Sequence, residues 1–153
     1  QRLVRLGGFA PKVHPENSAL IGIRDVDRDE SETVKQFRNK GMQVYTMTDV
    51  DKQGVTRIIA RVLNDFKNEV DHIHISFDLD GVDPDYASGV GTPVEGGLTY
   101  REASVIMEMV ADCGCMSSLE MLEVNPILDT KNGTAELAVD FVESALGKSI
   151  LYE

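Results

Sequence analysis

The feature that most limits how this chain can fold is the helical periodicity of Gly54–Lys67. Val55, Ile58, Ile59, Val62, Leu63 and Phe66 recur at i, i+3, i+4, i+7, i+8 and i+11. That spacing draws one apolar stripe along a helix and requires an apolar partner for it. Short strand-type runs lie on either side: Ala19–Ile23, Gln43–Met47, His72–Leu79 and Ser118–Val124. Further helical segments fall over Ser31–Lys40, Thr99–Cys113 and Thr134–Leu146. Val34 and Phe37 are expected to face inward on the first of these, which ends at Gly41. Thr99 with Glu102 three residues on makes a capping box at the second. Strands alternating with helices predict parallel strands with helices on both faces, a three-layer α/β/α architecture in one segment over residues 1–153.

Composition removes several functional classes. Fifteen Lys and Arg against 26 Asp and Glu give a formal net charge of −11. Nucleic-acid binding needs clustered cations to neutralise phosphates, so a nucleic-acid partner is excluded. No apolar run reaches the roughly 20 residues of a membrane span. Cys113 and Cys115 match no zinc pattern and read as reduced thiols at a helix end. The chain starts at Gln1 and shows no signal-peptide pattern; the cytoplasm is the expected compartment.

In a parallel sheet, sites form beyond the carboxyl ends of the strands. Here those ends are acidic. Arg24, Asp25, Val26 and Asp27 follow Ile23, Asp78 and Asp80 follow Phe77, and Glu123 closes the fourth strand. Clustered carboxylates repel unless a metal ion or a cationic substrate lies among them. Strand alternation puts His72, His74, Ser76, Asp78 and Asp80 on one face, with Asp78 and Asp80 about 6.6 Å apart along the backbone. His72 and His74 lie too far back, roughly 20 Å and 13 Å from Asp78, and are expected to be buried and hydrogen-bonded beneath the site. Other patterns fail. The stretch from Asp49 has Ala60 where a calcium loop needs its bidentate acid, and Gly89–Val94 lacks the third glycine of a dinucleotide fingerprint.

Ser76-Phe-Asp-Leu-Asp-Gly-Val-Asp-Pro84, then Gly91-Thr-Pro-Val-Glu-Gly-Gly-Leu-Thr-Tyr-Arg-Glu102, resembles the ureohydrolase family. Ile23-Arg-Asp-Val-Asp27 and Glu123-Val-Asn-Pro126 are similar to its arginase branch, over roughly Gly7 to Leu151. The resemblance implies manganese-dependent hydrolysis of L-arginine to L-ornithine and urea, with two Mn²⁺ ions and a metal-bridging hydroxide. It implies that Asp78 and Asp80 are metal ligands, that Glu123 holds the guanidinium, and that Asp27 and Thr92 line the substrate side. Arg101 and Glu102 match positions near subunit contacts in family homo-oligomers, trimers or hexamers.

The family also uses histidines from a Gly-Gly-Asp-His segment and an Asp-x-His-x-Asp strand, and neither occurs here. The chain is therefore expected to correspond to the C-terminal half of the family domain. Its sheet is expected to split where that strand would lie, between the third strand and the first, leaving open edges. Two further readings remain: a sister enzyme acting on agmatine or another guanidine, and a non-catalytic truncated paralogue that regulates an intact partner.

Overall fold

The structure, a computed structural model, describes residues 3–151. Four strands, β1 (Ala19–Ile23), β2 (Gln43–Thr46), β3 (Ile73–Asp78) and β4 (Met116–Leu122), alternate with five helices. The helices are α1 (Arg28–Arg38), α2 (Met47–Gln53), α3 (Val55–Glu69), α4 (Tyr100–Cys113) and α5 (Gly133–Ala145). All strand pairing is parallel, as the alternation requires. Among the described residues the strands form two pairs, β1 with β2 and β3 with β4, and no continuous sheet joins them. The expected split between the first and third strands is therefore present.

The core follows from the stripe on α3. Ile58 and Ile59 are buried with Val62, Leu63 and Phe66, and α3 packs against α4, which packs against α5. Phe141 of α5 is fully buried and meets Phe77 of β3 with ring centroids 5.3 Å apart. A buried aromatic pair of this kind contributes about 0.5–1.5 kcal/mol beyond its area.

Capping chemistry sets several boundaries. Thr99 accepts the backbone N–H of Glu102 while the Glu102 carboxylate accepts the Thr99 N–H and hydroxyl, as the capping box requires. The same device at Thr46 and Asp49 starts α2, which the sequence reading missed. Asp49 accepts the Thr46 hydroxyl at 2.7 Å and its N–H at 2.8 Å, so Met47 begins a helix instead of extending β2. These bonds hold the Asp49 carboxyl below its ordinary range. Gly54, with φ +81°, separates α2 from α3. Helix α1 buries no side chain, and Phe37 is exposed where an inward position was expected. The helix lies at the margin of the fold with no second apolar layer over it.

Candidate functional site

The carboxyl end of β3 delivers Asp78, but alternation does not continue to Asp80 as expected. The strand stops, and Leu79–Gly81 form a single 3₁₀ turn. The Asp78 carboxylate accepts the Asp80 N–H at 3.1 Å and caps that turn. Both acids are half-buried. Burial pushes the Asp80 carboxyl up, and the neighbouring Asp78 and Glu123 carboxylates add to the shift while Arg24 opposes it.

Glu123 arrives from the other strand of the pair. Asp78 lies opposite Leu122 in the β3–β4 register, so Glu123 is the next residue beyond the edge. Its φ is +63°, in the left-handed region that costs a side-chain-bearing residue about 1–2 kcal/mol. The neighbouring loop crowds its carboxylate: a Cβ at Gly91 would stand 3.2 Å from Oε2. Strain at a charged residue on a strand end is the kind that folded structures hold for function.

The loop that carries Gly91 is anchored from beneath. Gly89 is buried, donates its N–H to Thr134 Oγ1 at 2.8 Å and accepts the Asn125 N–H at 2.7 Å. Asp129 caps α5 through the N–H groups of Thr134 at 3.0 Å and Ala135 at 3.1 Å. Those bonds, that to Thr134 first, hold the Asp129 carboxyl below its ordinary range. Only glycine fits at position 89, because a Cβ there would lie 2.5 Å from Asp129 Cβ.

Two residues that the sequence reading did not assign complete the framework. Arg24 reaches from the end of β1 to the carbonyls of Asp80 at 2.6 Å and Val94 at 2.7 Å. It thereby ties one strand pair to the other. A bulge at Gly22, φ +87°, breaks the β1–β2 register just before it and re-aims the chain. Asp83 gathers the N–H groups of Asp85, Gly96 and Gly97, which lowers its carboxyl pKa and folds the loop that presents Val94. The local signals were the Gly-Ile-Arg step and the Asp-Pro and Gly-Gly turns.

Asp27 stands apart from this group. Its carboxylate accepts the Glu30 N–H at 2.8 Å, and its own N–H is held by Glu30 at 3.1 Å. It caps α1, while Asp25 and Thr92 line the main trough of the molecule and Asp27 does not. That trough, about 1020 Å³, runs between β1 and β3 and is lined along both strands, with Ile59, Val62 and Ile106 from the helices on its wall. Its upper end holds Asp78, Asp80 and Thr92.

His72 and His74 depart from expectation. Both are exposed beside the trough instead of buried, because the β3 edge there carries no third strand. The expected hydrogen bonds exist, His72 Nδ1 with Ser117 Oγ at 3.1 Å and His74 Nδ1 with Ser118 Oγ at 2.8 Å. Cys113 and Cys115 are also corrected, since they form a disulfide. Gly114, with φ +61°, reverses the chain and brings their Cα atoms to 5.2 Å, inside the bridging range. Arg101 is engaged by Glu108 at 3.0 Å along α4.

Asp78 and Asp80 are hard oxygen donors of the type that suits manganese. Among the described residues, however, no three His, Cys, Asp or Glu side chains gather as a metal-binding group. The donors present do not complete a metal centre by themselves.

The parallel strand pairs and their helices make this an α/β protein with Asp78, Asp80 and Glu123 gathered at one edge. The arginase family profile matches residues 8–147, and the chain belongs to the arginase family. It is 50% identical to the arginase of Bacillus subtilis (strain 168) over 151 residues, covering 99% of this chain and 50% of that protein. It is 46% identical to the Bacillus caldovelox arginase over 149 residues, covering 97% of this chain and 49% of that protein. The native structure of the B. caldovelox arginase at pH 5.6 superposes with a TM-score of 0.93 at 45% identity, covering 99% of this chain and 50% of that one. The chain thus spans about half the length of the curated relatives it matches. No helix among the described residues is long and apolar enough to cross a membrane.

Proposed function

We propose that this chain supplies the guanidinium-binding half of an enzyme that hydrolyses L-arginine to L-ornithine and urea. The observation that carries the reading is the convergence of Asp78, Asp80 and Glu123 at one edge, with Glu123 held in a strained conformation beside Gly91. A carboxylate at Glu123 can accept two parallel hydrogen bonds from a planar guanidinium. Asp78 and Asp80 hold negative charge beside it, and Thr92 offers a hydroxyl on the trough wall. Manganese, which the family resemblance implies, needs donors beyond these two carboxylates. The trough between β1 and β3, with an unpaired strand edge on each side, is where a strand-forming segment bearing them would fit.

The test is Asp80→Ala in the complete enzyme. It abolishes manganese-dependent urea release from arginine and lowers bound manganese. Retained activity overturns the assignment.

Two observations favour other readings. Asp27 accepts the Glu30 N–H as a helix cap, an engagement that suits a guanidine without an amino-acid end. Comparing urea release from arginine and agmatine separates the two substrates. The incomplete donor set suits a non-catalytic subunit, which would co-purify with an intact partner and release no urea.

A further inference from the structure

We propose that Cys113 and Cys115 are a reversible dithiol–disulfide site that governs the turn between α4 and β4. Cys113 is the last residue of α4 and Cys115 immediately precedes β4, so the bridge closes the whole connection between helix and strand. Gly114 is the hinge. Its φ of +61° suits glycine, and nothing lies within 4 Å of a Cβ placed there. Both cysteines are half-buried at the margin of the core, within reach of small thiols.

The position argues for a switch over a staple. Chain-entropy stabilisation by a disulfide grows with the length of the loop it closes, and this loop contains one intervening residue. The bridge therefore adds little to global stability, and its effect is local. What lies next to it is register. Ile73 pairs with Met116 but His74 pairs with Ser118, so Ser117 is an extra residue in β4 two positions beyond Cys115. That bulge sets the pairing of the rest of β4, up to Leu122 opposite Asp78. A closed bridge pins the start of β4, and an open dithiol lets the turn and the bulge relax.

The chemistry balances with glutathione disulfide as oxidant. One cysteine thiolate attacks it, forming a mixed disulfide and releasing one glutathione thiolate. The second cysteine thiolate attacks the protein sulfur of that mixed disulfide, forms the Cys113–Cys115 bond and releases the second glutathione. Two electrons pass to glutathione disulfide, and the two thiol protons end on the two glutathione thiols.

The experiment equilibrates the complete protein across ratios of reduced to oxidised glutathione, quenches with acid, alkylates free thiols and weighs the peptide containing both cysteines. Backbone hydrogen exchange at Met116–Ser118 is followed in parallel. The expected result is two alkyl groups under reducing conditions and none under oxidising ones, lost together at one midpoint. Exchange at Met116–Ser118 slows several-fold on oxidation, and it is insensitive to glutathione in the Cys113→Ser/Cys115→Ser variant. Two free thiols at every ratio, a stable glutathione adduct as the end product, or a glutathione effect that persists in the double variant would each overturn the proposal.

Discussion

Replacing Glu123 by glycine separates the energetic cost of its geometry from the use of its carboxylate. Glu123 has φ +63° and an exposed side chain, so truncation removes little packing. The left-handed conformation costs about 1–2 kcal/mol for a residue with a Cβ. Glycine removes that cost but brings about 0.5–1 kcal/mol of extra unfolded-chain entropy. The net expectation is a protein between unchanged and about 1.5 kcal/mol more stable. Glu123→Gln keeps the strained backbone and loses only the charge, and should stay within about 0.5 kcal/mol of the parent. Both variants should lose guanidinium binding. Weakening two charge-assisted hydrogen bonds costs about 3–4 kcal/mol, on the order of a 10²–10³-fold fall in kcat/KM for urea release. Urea unfolding followed by far-UV circular dichroism reads the first quantity, and steady-state urea release by the complete enzyme reads the second. A Glu123→Gly protein destabilised by more than about 1 kcal/mol would refute the strain argument. Undiminished turnover in Glu123→Gln would refute the role of the carboxylate.

Gly89→Ala forces a methyl to 2.5 Å from Asp129 Cβ and weakens the buried bond to Thr134, so chemical denaturation should show a loss of about 2–4 kcal/mol. Arg24→Lys cannot fork between the Asp80 and Val94 carbonyls; it should cost about 2 kcal/mol and lower urea release, and a lysine variant as stable as the parent would show that the link between strand pairs is idle. Asp129 has a folded-state pKa below its unfolded value, so its contribution is fully present above about pH 4 and lost as pH falls through the folded value. Asp129→Asn should therefore reduce stability at neutral pH, with the gap to the parent closing below about pH 4 in a pH series of unfolding curves.

The acidic ends of β1 and β3 were legible because alternation and run length are local properties. Asp78 and Glu123 were correctly placed at one edge by the parallel pattern alone. The route to Asp80 was not legible. Strand alternation and a 3₁₀ turn both bring the second Asp near the first, and the choice depends on the Asp78 carboxylate capping the turn. Asp27 has a local use that the resemblance did not indicate. It caps α1 by accepting the Glu30 N–H, and Glu30 three residues on holds its own N–H.

Composition and periodicity by themselves determined the α/β class, the stripe on α3 and the capping box at Thr99. Each depends on residues within a few positions of one another. The tertiary structure alone decided that Arg24 crosses to the Asp80 and Val94 carbonyls, that Gly89 must leave room for Asp129, and that Cys113 and Cys115 meet across Gly114. The first two join residues 40 to 70 positions apart, and no local pattern encodes which distant backbone a side chain will reach. The third turns on the sign of one φ angle at Gly114, which a glycine in a sequence permits but does not dictate.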